Sequence, residues 1–255
     1  MDANNGYVRT TREGAVATIE FHHPQGNSLP GELLRSLAES VRTAGEDPEA
    51  KVIVIRSAGD RAFCAGASFD ELRSIRDESA GRRFFMGFAE VIHAMRKCPK
   101  FVIGRIQGRC VGGGVGLASA TDYCMAVEGA SVKLSELAVG IGPFVVGPAV
   151  ERKIGKAAFC ELAVDAHRWR DASWAHAKGL FTELHPDTES LDKAVAERVE
   201  VLSNSNPEAM AELKKAFWQG TEEWDRLLEE RAGVSGRLVL SSFTRNALEA
   251  FGKNK

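Results

Sequence analysis

The chain carries no excess of basic charge. Its 33 Lys and Arg residues stand against 35 Asp and Glu, for a formal net charge of −2. That excludes the basic balance a nucleic-acid surface needs, although a local patch for a phosphate-bearing small molecule remains open. Long apolar runs are missing as well. The longest low-charge stretch, Leu137–Val150, is interrupted by three glycines and two prolines and is too short to span a bilayer. The first six residues lack the basic and apolar regions of a secretory leader, so the sequence predicts a cytoplasmic protein with no membrane partner. No Cys-x-x-Cys pair occurs, and neither the cysteines (64, 98, 110, 124 and 160) nor the six histidines show ligand spacing. No metal is expected, and the cysteines are expected to be buried small hydrophobes in a reducing compartment. A Gly-x-Gly-x-x-Gly dinucleotide fingerprint and a phosphate loop ending in Lys-Ser/Thr are both absent.

What is present is an ordinary globular composition, 44% hydrophobic and 27% charged over 255 residues, enough for one large domain or a domain with an appendage. Val16–Phe21 is a β-prone run that ends at His22-His23-Pro24, and a turn through Gln25-Gly26-Asn27-Ser28 leads to an amphipathic helix from Pro30 to about Ala44. Val52–Ile55 is an apolar run typical of a buried strand, so strand, helix and strand predict a right-handed crossover in a parallel sheet. The unit then repeats loosely. A helix is predicted over Ser79–Arg96, a strand over Phe101–Ile106, a small-residue helix over Gly112–Ala120 and a strand over Asp122–Val127. Beyond Asn206-Pro207 the chain turns helical, over Pro207–Trp218, Thr221–Ala232 and Ser241–Phe251.

Two segments rich in small residues follow predicted strands: Arg61–Asp70, with Ala65-Gly66-Ala67 at its centre, and Gln107–Leu117, with Gly112-Gly113-Gly114. Small residues let backbone approach a ligand closely, and the second segment opens a helix. Exposed N–H groups there can hold a developing negative charge, and one donor from each loop would form an oxyanion hole. Glu136 follows the next predicted strand, beside Gly140 and Pro143, and taken alone it reads as a surface-loop carboxylate. Were it a base, apolar Phe144, Val145 and Val146 would favour it by raising its pKa.

The order of elements together with Asn27-Ser28-Leu29, Ala62–Asp70, Gly112–Leu117 and Leu134–Pro143 resembles the crotonase superfamily, the enoyl-CoA hydratases and isomerases, over nearly the whole chain. The resemblance implies an α/β fold, a spiral of repeated ββα units, with an acyl-CoA-binding core over residues 1–200 and a helical oligomerisation region over 201–255. It implies a homotrimer or dimer of trimers, and no cofactor beyond the coenzyme A of the substrate thioester. The N–H groups of Ala67 and Gly113 would hold the thioester oxygen. Ala65 and Gly66 would line the coenzyme A site, and Gly112, Gly116, Pro143 and Phe144 are further substrate-contact candidates.

Typical hydratases of that superfamily carry two glutamates. The second matches Glu136; the first falls where this chain has Gly116. Two carboxylates can hold a water between them, whereas one suffices to move a proton between C2 and C4 of an enolate. Gly140-Ile141-Gly142-Pro143-Phe144 also resembles the monofunctional isomerases more than the hydratases. The chain is therefore expected to be an enoyl-CoA isomerase using Glu136. A hydratase or dehydratase of a branched acyl-CoA, a decarboxylase, and a non-catalytic acyl-CoA-binding protein are the alternatives. Gly116 is expected to leave room for a bulkier acyl chain. Weaker candidates are Asp70 and Glu71 at a solvated helix start, Glu90 as a second carboxylate, Arg105, Arg109 and Lys133 for phosphates, and Phe243 near a neighbour's coenzyme A.

Overall fold

The computed structural model describes residues 6–253. Residues 1–5, part of the segment considered for a leader, lie outside the described residues, as do 254–255. In chain order the strands are β1 (Tyr7–Glu13), β2 (Val16–His22), β3 (Val52–Ser57), β4 (Ala62–Cys64), β5 (Phe101–Ile106), β6 (Arg109–Val111), β7 (Tyr123–Val127), β8 (Ser131–Lys133), β9 (Arg170–Asp171) and β10 (Glu183–His185). The helices are α1 (Gly31–Glu46), α2 (Phe69–Ser74), α3 (Glu78–Lys97), α4 (Gly113–Ala120), α5 (Gly147–Val164), α6 (Ala172–Ala177), α7 (Thr188–Ser203), α8 (Pro207–Phe217), α9 (Trp224–Leu238) and α10 (Ser242–Lys253).

The strands form two sheets, ordered β1-β2-β3-β5-β7-β10 and β4-β6-β8-β9. Along the chain, one strand of the larger sheet is followed by one of the smaller and then by helix: β3-β4-α2, β5-β6-α4 and β7-β8-α5. This is the ββα spiral expected from the resemblance. β2, β3, β5 and β7 run parallel. The centre of β3 is buried along Val52–Ile55, and all of β5 is buried. Parallel strands covered on both faces need such continuous apolar runs, which is why these two are plain in the sequence. Phe21 and Phe63 meet edge to face at 5.4 Å and join the two sheets in one core.

The edges are built differently. β1 pairs antiparallel with β2, and most of its length is exposed. Its Arg9 reaches Glu20 at 2.8 Å and its Arg12 reaches Asp47 at 3.2 Å. β10, the opposite edge, has three residues, and Arg198 lies 3.0 Å from its Glu183.

The C-terminal helices close back on the core. α9 packs along α3. α8 is fixed by Lys214, whose ammonium donates to Asp122 Oδ2 at 2.8 Å and to the Lys100 carbonyl at 2.7 Å. Asp122 also accepts from the Val102 N–H at 2.7 Å and from Trp218 Nε1 at 3.0 Å. Both side chains of this pair are buried. α5 is broken at Gly155, whose φ of 77° lies outside the helical range. Four of the cysteines are buried as expected, but Cys160 is exposed on α5. No helix among the described residues is long and apolar enough to cross a membrane.

Removing one partner of a buried pair leaves the other charge uncompensated. Lys214→Met is expected to lower the unfolding free energy by about 3 kcal/mol in urea titration. Lys214→Met with Asp122→Asn should recover part of that loss. Equal losses in the single and double variants would contradict this account of the pair.

Candidate active site

The first small-residue loop is held by its backbone. Asn27 takes a left-handed conformation with φ of 58° and is buried. Its carboxamide oxygen accepts from the His23 N–H at 2.9 Å. Its amide nitrogen donates to the carbonyls of Ala58 and Ala62 at 2.8 and 2.9 Å. One side chain thus ties the end of β2 to the β3–β4 connection. Next to it, the Leu29 N–H donates to the Gly66 carbonyl at 2.7 Å, and the Ser68 N–H donates to the Leu29 carbonyl at 3.3 Å. This is a parallel bridge centred on Leu29 and Ala67. In that pattern Leu29 uses the residues on either side of Ala67, so the N–H of Ala67 faces away from it. It meets no acceptor among the described residues.

The second loop converges on the first. A Cβ built on Gly66 would stand 3.4 Å from the Gly113 nitrogen and 2.8 Å from the Val111 carbonyl oxygen. Gly112 has φ of 52°, and its N–H donates to the Lys133 carbonyl at 2.8 Å. It is followed by α4, and the N–H of Gly113, the first helical residue, has no acceptor among the described residues. A helix's first N–H groups lack intrahelical partners and carry the positive end of its dipole.

Glu136 lies on the loop after β8, immediately before a 3-10 turn at Leu137–Val139. Its backbone carbonyl accepts from the N–H groups of Ile141 and Val139, at 2.9 and 3.2 Å, which fixes the direction of its side chain's root. The carboxylate lies at Gly112: a Cβ there would be 3.0 Å from Glu136 Oε1. Oε2 is buried with no hydrogen-bond partner. The residue as a whole keeps partial exposure, but that oxygen does not. Loss of solvation pushes the carboxyl up to about 7, and a hydrogen bond from its own backbone N–H offsets only part of the rise.

Glu136 lines a cavity with about 60 Å³ open to a water-sized body. The lining includes Ala65, Gly66, Ala67, Gly112, Gly113, Pro143 and Phe144, so most of the residues singled out in the sequence come together. The other walls are largely apolar and come from α2, α3 and the Val139–Val146 segment, with Leu72, Phe85 and Phe88 among them. Among the described residues, Glu136 is the only carboxylate in the lining.

Gly116 departs from expectation. It does not line the cavity, and the room anticipated there is filled. A Cβ at position 116 would meet Val146 Cγ1 at 2.4 Å and Cβ at 2.5 Å. Val146, from the segment before α5, occupies that space and itself lines the cavity. The sequence shows the glycine but not its distant neighbour.

The weaker candidates are engaged elsewhere. Asp70 and Glu71 stand at the start of α2, where Glu71 is partly exposed and also accepts from the Gly31 N–H at 2.6 Å, closing the start of α1. Gln25 donates to Asp70 at 2.7 Å. Glu90 pairs with Arg42 and is absent from the cavity lining. Arg105 is buried and binds Asp192 through two hydrogen bonds, 2.7 and 3.0 Å long. Arg109 and Lys133 flank the ring of Trp169 at 5.5 and 4.5 Å. Phe243 is 64% exposed and approaches Gly140 at the back of the Glu136 loop. Sequence reasoning missed Ser235 of α9, which lines the cavity although nothing local marks it.

Because Val146 sits against Gly116, even one added methyl is strained. Gly116→Ala is expected to destabilise the fold by about 1–3 kcal/mol, the usual penalty of overpacking. Val146→Ala in the same chain should recover most of that in thermal or urea unfolding. Additive losses in the double variant would contradict the contact.

The comparisons with known proteins point to one family. The family model described as enoyl-CoA hydratase/isomerase matches residues 11–246. A carnitinyl-CoA dehydratase from Salmonella paratyphi A is 29% identical over 214 residues, covering 82% of this chain and 79% of that protein. A peroxisomal Delta(3,5)-Delta(2,4)-dienoyl-CoA isomerase from Arabidopsis thaliana is 27% identical over 231 residues, covering 84% of this chain and 81% of its own. Among solved structures, an enoyl-CoA hydratase from Mycobacterium avium superposes with a TM-score of 0.85 at 27% identity, covering 100% of this chain and 98% of the other. A fold of alternating sheets, two glycine-rich loops and one buried carboxylate thus coincides with a match over most of the sequence, and the chain belongs to the enoyl-CoA hydratase/isomerase family.

Proposed function

We propose that the protein is an enoyl-CoA isomerase that moves a double bond by a 1,3-proton shift, with Glu136 carrying the proton. The observation that supports it most is the lone carboxylate in the cavity, with the position of a second one closed by Val146. Hydration needs a water held and activated while a proton is delivered, a task suited to two carboxylates. An allylic shift needs one group that takes a proton and returns it.

In a 3-enoyl thioester, Glu136 removes a proton from C2. The C–H electrons pass toward the carbonyl, and the N–H groups of Ala67 and Gly113 hold the developing oxyanion. The protonated Glu136 then returns the proton at C4, and the electrons of the dienolate settle as a C2–C3 double bond. The sum of the steps leaves atoms and electrons unchanged. Two preorganised N–H donors from separate loops, one at a helix start, suit the charge that appears only during reaction. A carboxyl near 7 suits a group that must both accept and donate at neutral pH.

Glu136→Gln keeps the shape of the side chain and removes the transferable proton. It is expected to lower kcat for 3-enoyl to 2-enoyl conversion by about 10²–10⁴-fold. Thioester binding should stay within a few-fold, as followed by product chromatography and calorimetry. Undiminished isomerisation, or a 3-hydroxyacyl product as the main outcome, would overturn the proposal.

The pH dependence has a fixed sign. The ionised base starts the reaction, so kcat/KM should rise with pH through about 7 and level off above it. Stability should move oppositely. Between the ordinary carboxyl value of 4.5 and about 7, the folded state keeps a proton that the unfolded state releases, so stability falls as pH rises across that window. Glu136→Gln is therefore expected to be more stable than the wild type above pH 7, by about 1–2 kcal/mol after allowing for the cavity's contact with solvent. A pH-independent difference in urea midpoint would contradict this.

A further inference from the structure

Ser235 is about 1% exposed and lies on α9, yet it belongs to the cavity lining. α9 reaches the cavity because it lies against α3 at a glycine pair. A Cβ on Gly81 would stand 2.7 Å from the Gly236 Cα, so backbone meets backbone there. The residue next to Gly236 is Ser235, which joins Phe85 and Phe88 of α3 in the wall.

A serine inside a helix commonly returns its hydroxyl to the carbonyl four residues back. Ser119 does so, to Val115 at 2.8 Å. Ser235 makes no side-chain hydrogen bond among the described residues, and its oxygen, unlike Glu136 Oε2, is not fully shielded, so the hydroxyl stays open to the cavity that the residue lines. A hydroxyl without a protein partner in an apolar-walled cavity is left to be completed by a ligand or a water. Ser135 and Glu136, the other polar side chains in the lining, both lie on the loop where proton transfer is proposed. Ser235 comes from a separate element.

We propose that Ser235 is a specificity residue that selects acyl chains bearing a neutral hydrogen-bonding group, a hydroxyl or a carbonyl, beyond the reacting carbons. The proposal rests on the cavity being the acyl site assigned above. A hydroxyl both donates and accepts, so either group can be its partner. A tail carboxylate does not fit: no Lys, Arg or His among the described residues lines the cavity, and Glu136 would oppose a second negative charge. A plain alkyl chain would fill the cavity but leave the Ser235 hydroxyl unpaired, and sites with unpaired polar groups reject such analogues.

The test uses 3-enoyl-CoA thioesters of equal length, one with an alkyl tail and others with a single hydroxyl or keto group moved stepwise along the tail. Wild type is expected to prefer one functionalised position by roughly tenfold in kcat/KM over the alkyl thioester. Ser235→Ala should bring that ratio to about 1. Ser235→Cys nearly keeps the volume but hydrogen-bonds weakly, so it guards against a packing effect and should also lose the preference, while Ser235→Thr should keep part of it. A wild-type ratio near 1 at every position overturns the inference and leaves the isomerase reading intact. So does a preference that persists in both Ser235→Ala and Ser235→Cys. Absence of isomerisation for every thioester in the wild type overturns the isomerase reading and this inference together, and it shows before any substitution is made.

Discussion

The pairing of Leu29 with the backbone on either side of Ala67 is the constraint on which the site depends. A parallel bridge engages alternate peptide groups, so committing Gly66 and Ser68 to Leu29 leaves the N–H of Ala67 turned the other way. Asn27 holds that arrangement from below, with its amide spread over three backbone groups. Gly112 does the equivalent for the second loop by giving its own N–H to Lys133 and delivering the start of α4 beside Gly66. Two donors are thus left unpaired by the way their neighbours are paired. Preorganisation here is a property of the hydrogen-bond pattern, and no side chain has to move to create it.

The carboxylate is set up by the opposite means. Glu136 sits where solvation is poor and partners are few, which raises its proton affinity at some expense to the fold. The surrounding walls are made of side chains from α2, α3, α9 and the Val139–Val146 segment. The same apolar surface that shapes the cavity therefore also tunes the acid. Val146 adds a third effect, because it lines the cavity and also fills the space beside Gly116 that a side chain there would need.

Much of this was legible in the sequence, for identifiable reasons. Val52–Ile55 and Phe101–Ile106 announce buried parallel strands because both faces are covered. α1 and α3 show through their apolar spacing. β4, β6, β8, β9 and β10 did not show, since elements of two or three residues carry no periodicity. β1 was missed because its charged, exposed residues look like loop. At the site, the local motifs pointed to Ala67, Gly113 and Glu136, which line one cavity. The partners that act across the chain, Val146 on Gly116 and Gly81 on Gly236, are invisible until the fold brings them together.

The edges of the larger sheet have a consequence of their own. An open strand edge is a template for another chain, and natural sheets blunt it with charge, shortness or cover. Here one edge carries Arg9 and Arg12 with acidic partners, and the other is a three-residue strand guarded by Arg198. Lateral growth of the sheet is disfavoured at both ends. Growth of the larger sheet by strand addition is therefore guarded against by charge at one edge and by shortness at the other.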